Sequence, residues 1–147
     1  MYKFEKLEIW RLALEYVDLI YDIADQLPRS EEYNLKSQVR RAATSIALNI
    51  AEGSTGQTDA EQARFLGLAL RSLIETVACQ HLISRRGYME KSDMLRKAYR
   101  ESQSLAQKIQ AMRNAIAPGR PWVREAEGEY GVGTDDEVPF SNGDDGR

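Results

Sequence analysis

Residues 38–53, QVRRAATSIALNIAEG, constrain this chain more than any other stretch. They read as one helix with three distinct faces. At about 100° per residue, Leu35, Val39, Ala42, Ile46, Ile50 and Gly53 fall within roughly 40° of one line. That line is a core stripe. Gln38, Arg41, Ser45, Asn49 and Glu52 form a continuous polar flank on one side. Ala43, Ala47 and Ala51 recur every four residues on the other, a surface small enough for close helix approach. A surface helix needs one special face, so this one is expected to be packed on several sides.

The rest of the chain supplies helices to pack against it. Residues 7–27 carry a candidate seam of Leu7, Trp10, Leu14, Val17, Tyr21 and Ala24. Leu12, Leu19 and Ile23 lie on the opposite face among Glu8, Glu15, Asp18 and Asp22. Pro28 ends this helix, because the residue before a proline is pushed out of helical conformation. The second helix runs over residues 35–52, with Gly53 as its expected left-handed stop. Thr58, with Glu61 three residues on, opens a third helix that continues to about Arg86, where Gly87 stops it. Its stripe is Leu66, Leu70, Leu73 and Val77; Leu68, Cys79 and Leu82 sit on the far side. Ser92 caps a fourth helix whose core face is Leu95, Ala98, Tyr99, Leu105, Ile109, Met112 and Ile116. Ala117, Pro118 and Gly119 end it. Connectors of a few residues make neighbouring helices antiparallel. The expected fold is all-α, an up-down-up-down four-helix bundle over residues 1–117.

Composition changes after that. Residues 118–147 hold eight acids against Arg120, Arg124 and Arg147, a net −5. Residues 1–117 carry 17 basic and 15 acidic side chains, a net +2. The second segment, rich in glycine, proline and acids, reads as a disordered, flexible acidic tail, with Trp122 available to dock its first residues. The N-terminus, MYKFEKLEIW, is charged throughout and shows no signal-peptide pattern, and no run of membrane-span length is evident. Cys79 is the only cysteine, so no disulfide forms within the chain. A cytoplasmic protein without membrane partners is expected.

Catalysis finds little to work with. Cys79 and His81 are two apart on a helix and point in different directions, so they make no nucleophile–base pair. No Glu-x-x-His pair or Cys/His cluster suggests a metal. The loop at Ser54, Thr55 and Gly56 lacks the lysine of a phosphate loop. The expectation is no enzyme, no cofactor and no small-molecule substrate.

Two sets of residues remain as candidates. The first is Gln38, Arg40, Arg41, Ser45, Asn49 and Glu52. Its polar groups either fix helix register at the core edge or form a shared pocket or oligomer interface, with Arg40 reaching a carboxylate across subunits. The second is Arg85, Arg86, Lys91, Arg96, Lys97 and Arg100. Against Glu90 and Asp93 these give +4 over residues 85–100. They are either a solvated helix end or a patch for a nucleic-acid backbone or other partner. The apolar far sides of the first and third helices, with Leu48 outward on the second, favour a homo-oligomer.

The pattern Leu7-x-x-Trp10, Pro28 with Glu32-x-x-Leu35-x-x-Gln38, and Arg40-Arg41-Ala42-Ala43-x-Ser45-Ile46-x-x-Asn49-Ile50-Ala51-Glu52-Gly53 resembles the 23S rRNA intervening sequence proteins, also called the S23-like family. Phe65-Leu66, Leu70-x-Ser72-Leu73-x-Glu75 and Gly87-Tyr88 extend the likeness over about residues 2–116. The resemblance implies a bacterial four-helix bundle that forms a ring-shaped homopentamer. Similar proteins serve as accessory variability determinants of diversity-generating retroelements, where a basic bundle binds a reverse transcriptase and its template RNA. This chain departs from them in its mildly basic body and acidic tail. The expected function is a non-enzymatic pentameric scaffold for protein or RNA; the alternative is the retroelement role.

Overall fold

Each of the four apolar patterns becomes a helix. The computed structural model describes residues 1–55, 58–89, 93–117 and 138–140. Among them are α1 (Glu8–Asp25), α2 (Leu35–Gly53), α3 (Asp59–Arg85) and α4 (Asp93–Ile116), and no strand. Consecutive helices pack on each other, and α4 returns to α1. Lys108 on α4 reaches Glu8 on α1 at 3.0 Å. One apolar cluster runs through all four helices.

A 3-10 turn over Lys3–Lys6 leads into α1. Phe4 packs edge-on against Trp10, with ring centroids 4.7 Å apart. The buried face of α1 is Ile9, Ala13, Tyr16, Ile20, Ile23 and Ala24. This corrects the expected seam. Leu14 is 42% exposed and Tyr21 39%, and of that seam only Ala24 is buried. Two stripes with helical spacing compete on this helix. The one that wins carries Tyr16, whose hydroxyl finds buried partners on α3. Tyr21, on the other, keeps its hydroxyl at the rim, 3.1 Å from that of Thr44 on α2.

The start of α2 is held from upstream. The Glu31 carboxylate accepts from the Leu35 N–H at 3.1 Å and the Asn34 amide at 3.0 Å. This meets donors that a helix start leaves without partners. All six residues of the expected core stripe are buried. Gly53 needs a different explanation from the one expected. Among the described residues the only positive φ is Gly87, at 67°. Gly53 is required for space, because a Cβ there would lie 2.8 Å from the Cβ of Phe65 on α3.

α3 starts as expected, the Thr58 hydroxyl accepting from the Glu61 N–H at 3.0 Å. It ends as expected too. Gly87 donates to the Ser84 carbonyl at 3.0 Å and Tyr88 to that of Ile83 at 3.3 Å. These paired bonds close the helix around a left-handed glycine. Leu66, Leu70 and Leu73 are buried, and the buried arc widens to Ala63, Gly67, Ala69, Thr76 and Gln80. That width follows from its two neighbours, α2 and α4. Leu82 stays exposed, whereas Cys79 is buried. α3 also corrects the expectation about membrane-length runs. It is long and apolar enough to cross a bilayer by length and composition, and half of its most apolar window is buried among the other helices.

α4 buries Leu95, Ala98, Leu105 and Ile109 as expected, and adds Ser102, Gln110 and Arg113. The Arg113 guanidinium lies where a Cβ on Gly67 would be, 2.7 Å away at its nearest atom. The expected cap Ser92 lies outside the described residues, as do Glu90 and Lys91. Within the acidic tail, Val138 and Phe140 are buried in the shared cluster. Trp122 and the other tail positions lie outside the described residues.

Candidate functional site

The polar flank of α2 separates into a seam and an outer strip. Asn49 donates its amide to the Ser45 carbonyl at 2.8 Å and the Ser45 hydroxyl at 3.0 Å. Ser72 on α3 donates to the same hydroxyl at 2.9 Å. Ser45 and Asn49 therefore lie at the α2–α3 contact. Gln38 turns back to Asn34 at 3.2 Å. Arg41 and Glu52 are exposed and make no ion pair among the described residues.

The opposite flank is spent inside the chain. Arg40 donates to the Asp25 carboxylate on α1 at 2.6 Å and sits 5.5 Å over the Tyr21 ring. The carboxylate expected from another subunit thus comes from the same chain. Ala43 and Ala47 share this flank with Arg40 and are buried. The alanine surface, read as a route to another copy, faces α1 of its own chain. Only Ala51 remains partly open.

Besides Gln38, what stays outward on α2 is Arg41, Leu48 and Glu52, with Leu48 52% exposed. On α3, Arg71, Glu75 and Leu82 are exposed, and Leu68 is half-buried. Helical spacing puts these α3 residues on one strip, turned away from the core. The two strips carry apolar side chains between charges of both signs.

The basic cluster is not a uniform patch. Arg85 and Arg86 are exposed at the C-terminal end of α3. Arg96 donates to the main-chain carbonyl of Phe140. Lys97 approaches Glu101 at 4.0 Å. Arg100 is exposed on α4, and Lys91 lies outside the described residues. Arg86 also adds its charge to a junction that joins the end of α3 to the start of α2. There the Tyr88 hydroxyl donates to Glu31 at 3.0 Å. The Leu35 N–H, and then this hydroxyl, hold the Glu31 carboxyl below its ordinary value. The same bond pushes the Tyr88 phenol up.

Sequence reasoning missed a polar network in the core. The Tyr16 hydroxyl lies 2.7 Å from that of Thr76 and accepts from the Gln80 amide at 2.9 Å. Thr76 donates to the Leu73 carbonyl at 2.6 Å. Burial pushes the Tyr16 phenol well above its usual range. The spacing of Tyr16 with Ile9, Ala13, Ile20 and Ile23 was the available signal. Cys79 is buried, and that burial, with the Glu75 charge, raises its thiol to about 11. His81 is exposed and packs against Tyr99 and Phe140. Among the described residues no group of three or more His, Cys, Asp and Glu side chains could hold a metal ion.

A family model described as 23S rRNA-intervening sequence protein matches residues 5–115. The matched span takes in all four helices but the last residue of α4, and stops short of the anchor at Val138 and Phe140. No curated protein matches the chain.

Proposed function

We propose that this chain, which belongs to the 23S rRNA-intervening sequence protein family, is a non-enzymatic homo-oligomer, a pentamer, that works as a binding scaffold. Its four helices form an antiparallel up-down-up-down bundle in this reading, since consecutive helices joined by short connectors pack together and α4 closes on α1. The observation that carries the reading is the outer α2–α3 strip. Leu48 is half-exposed on the α2 strip with Arg41 and Glu52, and Leu82 half-exposed on the α3 strip with Arg71 and Glu75. Two cations and two anions around apolar contacts make a surface that a second copy can meet without net repulsion. Light scattering at micromolar concentration is expected to give several times the 16.7 kDa chain mass. Leu48→Glu is expected to yield monomer with unchanged helicity. A wild-type monomer rejects the proposal.

The exposed pair Arg85 and Arg86 favours a second reading, an accessory role in a diversity-generating retroelement through contact with reverse transcriptase and template RNA. Copies of the pair around a ring would sum their field. Changing both to alanine is expected to weaken RNA binding and flatten its salt dependence. RNA binding that is absent, or unchanged in the double variant, removes this role.

A further inference from the structure

Val138, Pro139 and Phe140 occupy a groove between α3 and α4. Val138 is 9% exposed and Phe140 3%, while Pro139 between them is open to solvent. The main chain bends at Pro139 and Phe140. The Phe140 ring sits 5.2 Å from the ring of His81 on α3, tilted by 58°. Edge-on to it, at 5.7 Å and 86°, is Tyr99 on α4. Arg96 grips the Phe140 carbonyl. One group thus reads the backbone and two rings read the side chain.

We propose that this groove is a peptide-binding site for an apolar–proline–aromatic segment, with residues 138–140 as its internal, displaceable ligand. α4 is 24 residues long, about 36 Å, and its C-terminal end lies away from Arg96 and Tyr99. Phe140 instead lies beside residues near the start of α4. Proline fixes one backbone dihedral of the free segment, which lowers the entropy lost on docking. Asp135, Asp136 and Glu137 directly precede the segment in sequence, and Arg85, Arg96, Lys97 and Arg100 belong to the helices that form the groove. A tethered ligand acts at an effective concentration on the order of millimolar, so it competes with the same segment supplied from outside.

His81 is the only histidine, so its imidazole gives a single resolved NMR signal in the full chain. Phe140→Ala, and the milder Phe140→Leu, are expected to move that signal by removing the adjacent ring while circular dichroism stays helical. A synthetic peptide of residues 134–143 is expected to return the signal toward its wild-type position in Phe140→Ala. The wild-type chain is expected to bind that peptide about tenfold more weakly, and the same peptide with alanine for its phenylalanine to do nothing. A His81 signal that neither variant moves overturns the proposal. So does a peptide that acts equally on both chains, or on neither.

Discussion

Gly53 shows how a single absent atom sets a helix contact. A Cβ there would lie 2.8 Å from the Cβ of Phe65, an atom fixed by the α3 backbone. Alanine gains about 1 kcal/mol of helix propensity over glycine, but overpacking at a fixed contact costs about 1–3 kcal/mol. Gly53→Ala is therefore expected to lose about 1 kcal/mol, read from the urea midpoint. A more stable variant would mean that the helices can move apart freely. Tyr16 tests a buried polar group. Tyr16→Phe removes the acceptor of the Gln80 amide, and the Gln80 carbonyl oxygen already has no partner. Leaving a buried donor unsatisfied costs about 1–3 kcal/mol. Equilibrium denaturation is expected to show a loss in that range, and Tyr16→Phe with Gln80→Leu to recover part of it, because the stranded amide is then gone. A neutral single variant would show that the amide finds another acceptor.

At the scale of elements, α2 was legible and α1 was not, for one physical reason. α2 offers one stripe of large apolar residues, flanked by alanines on one side and polar groups on the other, so the centre of its buried face is unambiguous. α1 offers two stripes of similar size, and the choice depends on partners from α3 that its own spacing does not contain. The helix ends divide in the same way. Thr58 and Gly87 act within a few residues and were readable. The start of α2 depends on Tyr88, 57 residues from Glu31 in sequence, and was not. That junction carries a pH prediction. The Glu31 carboxyl is lowered by the Leu35 N–H and the Tyr88 hydroxyl. A group lowered in the folded state adds stability above its unfolded pKa and loses it as pH falls through the folded one. Glu31→Gln is thus expected to be less stable than wild type at pH 7, with the gap closing as the carboxylate titrates in acid. Urea midpoints across that range check it, and a gap that widens in acid rejects the assignment.

For the whole molecule, the residues that carry the family likeness are mostly accounted for by the fold. Ile46 and Ile50 fill the core, Ala43 and Ala47 let α1 approach, and Ser45 and Asn49 lie at the α2–α3 seam. Arg41 and Glu52 are left facing outward, which is why the proposed contact between copies is placed there. The basic cluster read as one patch because helical spacing cannot show that Arg96 is committed to a carbonyl 44 residues away. Nor does a glycine- and acid-rich stretch advertise two buried side chains. Since a single apolar cluster links all four helices, they are expected to unfold together. Cys79 belongs to that cluster, and its raised thiol leaves little thiolate at pH 8. A thiol reagent is therefore expected to reach it only through unfolding, so its urea labelling curve at pH 8 should overlay the loss of helicity. Labelling that runs ahead of helix loss would mean α3 opens by itself, and the shared core would not be the cooperative unit.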